Sequence, residues 1–287
     1  MIKVYATCFW QDDASLLETI RCYGFGSTVW KNIEFINGDD FDVVVVLTAP
    51  WHQCRNFNPS DAICFLTEPP SSHHHRNCAD VVCQMYLPLP WWIDYPNKNE
   101  VIKVGVFGNK TKLASSVTSE LVYLDGHRKR LTFLAAFDSL VAEGLDIYGK
   151  QYTGSVFAQM GNYRGELKIK YDGIIPYEYH INCENSFLNG YFTEKLLDAV
   201  VGESYCFYDG CSNVEQYIDH RAFTRIDVMR IEESIETIIN CINEGYYQKQ
   251  LPFILREKRR ILYFLNPLNI IWAQLNEYDT ARYFLIN

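Results

Sequence analysis

The sequence predicts an α/β protein of two doubly wound parallel-sheet domains in series, and three observations carry that expectation. Continuous apolar, β-branched runs such as 41–47 (FDVVVVL) fit strands buried on both faces. Helix-sized segments alternate with these runs, which implies parallel strands joined by crossover helices. The alternation restarts after a polar break, and 287 residues suit two such domains better than one core.

In chain order, residues 2–6 (IKVYA) read as the first strand. Residues 13–24 have helical spacing, with Asp13 as N-cap and Gly24 as stop. Strands follow at 41–47, 62–67 and 81–87. Pro, Asn and charged residues cluster at 93–101, which reads as a linker. The run 101–108 (VIKVGVFG) then opens the second α/β unit. A helix is expected over 127–144, ending at Gly144, and a short strand over 145–149. Strand 179–185, helix 193–202 and strands 204–210 and 223–228 complete the pattern. Beyond 229 the chain reads as helical, broken at Pro252 and Pro267. The expected domains are 1–97 and 98–265, with a helical tail at 266–287 able to pack back on the first domain. Two Rossmann-like halves in series suggest a cleft, and open α/β sheets bind ligands at the C-terminal ends of their strands.

Composition excludes some functions. The net charge of -9 and pI of about 5.3 lack the basic footprint of a nucleic-acid binder. A few local Lys and Arg residues can still hold a diphosphate. Ten scattered cysteines without a CxxC read as free thiols in a reducing compartment. The first residues read as a strand, not a signal peptide, and no apolar run approaches a membrane span, so a cytoplasmic location is expected. No GxGxxG, GxSxG or Walker motif appears, which disfavours a dinucleotide dehydrogenase. His73–His75 with Cys78 and Cys83 lacks tight four-ligand geometry and reads as a polar loop. Asp39-Asp40 reads as a solvated turn, so no metal site and no required cofactor are expected.

The informative segment is 177–210. A strand ends in Glu184-Asn185-Ser186, a loop carries Asn189-Gly190, and Tyr191-Phe192-Thr193-Glu194-Lys195 opens a helix. Thr193 is a natural N-cap. The helix dipole and N–H groups favour a phosphate there, and Lys195 adds a cation. Glu194 can accept from ribose or sugar hydroxyls. Physics alone leaves this reading and a plain capped helix start equally open.

The segment resembles the α-1,3-fucosyltransferases of glycosyltransferase family 10. Their motif has Phe-Glu-Asn-Ser, then Tyr-Ile/Val-Thr-Glu-Lys-Leu, and this chain has CENSFLNGYFTEKLLDA, with CFYDG at the family's Gly-containing turn. ICFLTEPPSSHHH is similar to the family's Glu-Ser-Pro segment, RLTF at 130–133 to its helix arginine, and LDIYG to its Val-Asp-Val-Tyr-Gly. The resemblance spans about 60–230. Tyr179-His180, Cys183 and Glu68-Pro69-Pro70 depart from the family pattern, and these departures bear on donor and acceptor identity.

The resemblance implies a GT-B fold and an inverting glycosyltransferase. It implies GDP-fucose as donor and an oligosaccharide or glycan hydroxyl as acceptor. It makes Glu68 the catalytic base and Arg130 the diphosphate arginine, with Arg128 its rival in the Arg-Lys-Arg run. Asn185, Tyr191, Glu194 and Lys195 would contact the donor. Another GDP- or UDP-sugar donor, a silent sugar-binding module and a nucleotide-binding regulator remain open at this point.

Overall fold

The computed structural model describes residues 1–141, 144–152 and 156–286. They form two units, 1–89 with 263–285 and 90–262 with Ile286. The first unit thus closes at Leu89, not at 97, and takes in Tyr263–Leu285.

The first unit is a six-stranded sheet of β1 (Ile2–Cys8), β2 (Val29–Trp30), β3 (Ile33–Ile36), β4 (Val43–Leu47), β5 (Ala62–Phe65) and β6 (Val81–Val82). The order is β2-β3-β1-β4-β5-β6, and every pair is parallel except β2–β3. Val44, Val45 and Val46 are fully buried, as expected of a strand covered on both faces. Helix α1 (Asp13–Tyr23) is capped by Asp12, one residue earlier than the sequence suggests. Asp12 Oδ1 accepts from the Ser15 amide at 3.0 Å, while Asp13 is drawn inward by the Tyr5 hydroxyl at 2.5 Å.

The second unit is wholly parallel: β7 (Lys112–Val117), β8 (Leu145–Tyr148), β9 (Tyr177–Cys183), β10 (Tyr205–Asp209) and β11 (Phe223–Arg225), in the order β11-β10-β9-β7-β8. Residues 101–108 do not form its first strand; only the short α2 (Lys98–Val101) and a loop lie there. The amides of Gly105, Val106 and Phe107 donate to the buried Glu203 carboxylate at 2.7–3.3 Å, so no strand partner is needed. Lys258 pairs with the same carboxylate at 2.8 Å. The first strand is β7 instead. Its Ser115 and Ser116 are buried and donate to the Gly173 and Ile181 carbonyls.

Helix α3 (Asp125–Leu140) starts and ends earlier than the sequence suggests, and residues 142–143 of the expected helix lie outside the described residues. Helices α4 (Glu194–Val201), α5 (Ile231–Asn243) and α6 (Tyr246–Tyr263) follow. Pro252 does not break α6. Burial of Tyr247, Ile254, Ile261 and Leu262 outweighs the lost hydrogen bond. Pro267 starts α7 (Pro267–Leu275), where its missing N–H costs nothing. Helix α7 and the short α8 (Thr280–Tyr283) pack in the first unit, where Asn266 caps α7 and donates to the Tyr23 carbonyl at 3.0 Å. No helix among the described residues is long and apolar enough to cross a membrane.

Candidate functional site

The C-terminal edge of the second sheet gathers most of the residues singled out by sequence. Strand β9 ends at Cys183 and delivers Glu184 and Asn185, and α4 starts with Thr193 as its cap. Glycines bring these pieces together. A Cβ on Gly126, at the start of α3, would lie 2.4 Å from the Glu184 carbonyl oxygen. One on Gly210 would lie 2.4 Å from Glu184 Cγ. The glycine turn in CFYDG is therefore a packing requirement for Glu184.

Glu184 is fully buried and occupies the start of α4 itself. Its Oε1 accepts from the Thr193 amide at 2.8 Å and the Tyr208 hydroxyl at 3.2 Å, and its Oε2 from the Thr193 hydroxyl at 2.8 Å. Lys195 Nζ pairs with Glu184 at 3.2 Å and with Glu194 at 3.4 Å, and it donates to Thr193 Oγ1 at 3.1 Å. The anion favoured by this helix start is the protein's own carboxylate, a role the sequence reading did not give to Glu184. Burial opposes the Lys195 charge, but Glu184 and Glu194 outweigh it and raise its pKa. Burial likewise opposes ionisation of Glu194, yet Lys195 and Lys170 hold its pKa down to about 2. Asp198, pushed up to about 6 by burial, binds Lys170 at 2.7 Å, the Tyr171 hydroxyl at 3.0 Å and the Trp91 amide at 2.7 Å.

Arg130 differs from Lys195. It is 5% exposed, donates to Asn185 Oδ1 at 2.8 Å and to Ser119 Oγ at 3.0 Å, and its Nε has no partner among the described residues. Among the described residues no carboxylate lies within ion-pair distance of it. Arg128, the rival in sequence, is exposed on the same helix and faces Asp125 at 3.7 Å. Ser119 also lines a cleft of about 250 Å³ beyond the ends of β7 and β8, with Lys150, Lys168 and Lys170 and the carboxylates of Asp94 and Glu166 on its walls. The Thr118 hydroxyl, in the same lining, is buried without a partner among the described residues. Tyr191 is 2% exposed, so its ring packs inside the unit.

Glu68 lies in the first unit, just past β5 and partly buried, at the C-terminal edge of that sheet. The preceding Thr67 is fixed by its amide and hydroxyl, at 2.9 and 2.8 Å from Thr48 Oγ1.

Two buried histidines report on the second unit. Burial, then Arg130 and Lys195, lowers the His127 pKa to about 4. Burial, then Lys170 and Lys110, lowers that of His180 to about 3. Between pH 6.5 and about 4 the unfolded chain binds protons that the folded chain refuses, so stability falls as pH is lowered through that window. Imidazole NMR signals of folded protein should show both rings neutral at pH 5. An ordinary midpoint near 6.5 for either ring would refute this.

No protein-family model and no curated protein matches the chain. Solved structures do. The structure of an alpha1,3-fucosyltransferase with GDP aligns at a TM-score of 0.56 and 19% identity, covering 87% of this chain and 81% of that one. The alpha1,3-fucosyltransferase with GDP-fucose aligns at 0.52 and 20% over the same shares. WaaG, a glycosyltransferase involved in lipopolysaccharide biosynthesis, aligns at 0.51 and 9%, covering 96% and 99%. The fold is that of the GT-B glycosyltransferases.

Proposed function

We propose that the protein is an inverting glycosyltransferase that moves a sugar, L-fucose from GDP-fucose, to a hydroxyl of an oligosaccharide acceptor. One observation carries the reading. Arg130 is a buried guanidinium whose Nε has no partner among the described residues, with no described carboxylate in ion-pair reach, and its Ser119 partner lines a cleft bearing three lysines and two carboxylates. A buried charge of this kind calls for an anion, and a guanidinium fork suits the two oxygens of a phosphate. The fold shared with the fucosyltransferases supports the sugar-transfer part.

In this reading Arg130 holds the leaving diphosphate, and Lys195 offsets the Glu184 and Glu194 carboxylates beside the donor. Asn185 and Glu194 supply acceptors to sugar and ribose hydroxyls, and Tyr191 backs the donor site. The acceptor oxygen attacks the anomeric carbon, the bond to the diphosphate breaks, and Glu68 takes the acceptor proton.

A thermal-shift series with GDP, GDP-fucose, UDP and UDP-glucose tests the assignment, because a ligand of the native state raises Tm. GDP and GDP-fucose should give the largest shifts, and Arg130→Lys should abolish them by losing the fork. A series without any shift would overturn the transferase reading, and larger shifts with UDP would overturn the donor. Transfer is expected to survive EDTA, with cations of the protein stabilising the diphosphate. Complete loss in EDTA, restored by Mn²⁺ or Mg²⁺, would overturn the metal-free step.

A further inference from the structure

The first unit carries a cluster of aromatic rings at its strand ends that the donor chemistry does not use. Strands β1, β4 and β5 are in register at their last residues, with Cys8 opposite Leu47 and Leu47 opposite Phe65. The segments leaving them therefore emerge side by side from one sheet edge, about 5 Å apart per strand. The first carries Phe9 and Trp10; the third carries Glu68 and then the histidine run.

Phe9 stacks on His74 with ring centroids 4.1 Å apart and planes at 17°. Trp10 stands edge-on to Phe9 at 5.0 Å, and His73 tilts against His74 at 4.0 Å. The loop bearing these histidines is folded back on the residue after Glu68. His75 Nε2 lies 2.8 Å from the Pro69 carbonyl oxygen, and the Ser72 amide donates to that oxygen at 2.9 Å. Trp10 is 41% exposed. Burial, then His73, Arg76 and His75, lowers the His74 pKa, so its ring is neutral at pH 7.

An exposed Trp buttressed by a stacked pair serves no core. Such rings offer a flat apolar face with a polar N–H at the rim. A pyranose is complementary, since one face presents only C–H groups and its edge carries hydroxyls. The Phe9 and Trp10 rings themselves carry no charge, which suits a neutral sugar, and Arg76 is the cation of the histidine loop.

We propose that the Trp10–Phe9–His74 cluster is the acceptor subsite and seats the C–H face of a pyranose ring in a neutral oligosaccharide. The proposal rests on the transferase reading for the word acceptor and deepens it by naming the sugar-seating rings. It is tested without donor, by saturation-transfer NMR on the full chain with lactose, cellobiose and chitobiose as probes and mannitol as an acyclic control. At least one disaccharide should receive saturation on its ring C–H protons, and mannitol should not. Trp10→Ala, checked by its melt to be folded, should weaken that disaccharide about three- to tenfold, and Trp10→Phe should retain most of the binding. No transfer to any disaccharide, equal transfer to mannitol, or unchanged affinity in Trp10→Ala would overturn the subsite. A failed nucleotide series with Trp10-dependent sugar binding would remove the transferase reading and leave a sugar site. The reverse result would remove the subsite alone.

Discussion

Glu68→Gln is expected to lower the rate of sugar transfer about 10²–10⁴-fold while leaving the donor Kd near that of the wild type. Gln keeps the size of the side chain and can still hydrogen-bond, but it cannot take the acceptor proton. Glu68 belongs to the first unit, past the end of β5, and Arg130 and its cleft to the second, so the base need not touch the nucleotide. A carboxylate that only ended a strand before Pro69-Pro70 would make the change nearly silent. The measurement is kcat for transfer beside Kd for GDP-fucose on folded protein. A near-normal kcat would remove Glu68 from the mechanism and move the search for a base to Asp61, Asp80 and the histidine loop.

Lys195→Ala is expected to destabilise the protein by about 3–5 kcal/mol, beyond any effect on nucleotide. Glu184 is fully buried, and Lys195 is the cation paired with it, at 3.2 Å. Removing Lys195 leaves that carboxylate, among the described residues, with the Thr193 and Tyr208 donors in a site screened from water. The double change Lys195→Met with Glu184→Gln should recover much of the loss, because it removes both charges at similar volume. Urea unfolding of the two variants separates the contributions. Wild-type stability in Lys195→Ala would show that the pair does not hold the start of α4. Arg130→Lys is the cleaner probe of phosphate binding, since it preserves the charge and disturbs no carboxylate pair.

The sequence revealed the strands that repeat apolar residues and the helices with evident caps. Val43–Leu47 has no polar side chain that a buried strand must satisfy. Thr193 caps α4 as its type and position suggest, accepting from the Lys195 amide. Strand β7 was not legible, because Ser115 and Ser116 interrupt its apolar pattern and are tolerated only through acceptors 58 and 65 residues away. The run 101–108 misled for the opposite reason. Its valines suggest a strand, but a distant carboxylate, Glu203, captures its amides.

The same division holds at the candidate site. The sequence by itself determined the fold class and placed Glu184, Asn185, Thr193, Glu194 and Lys195 around one strand–loop–helix, because short-range spacing and capping chemistry are written locally. Tertiary structure alone decided which charges are already matched. It turned Arg130 inward and left Arg128 in solvent. It gave Lys195 two carboxylates and Arg130 none within reach among the described residues. It set Phe9 on His74 across 65 positions of sequence. The physical reason is that charge balance and ring stacking depend on which groups lie within a few ångströms after packing, and residue order does not encode that distance.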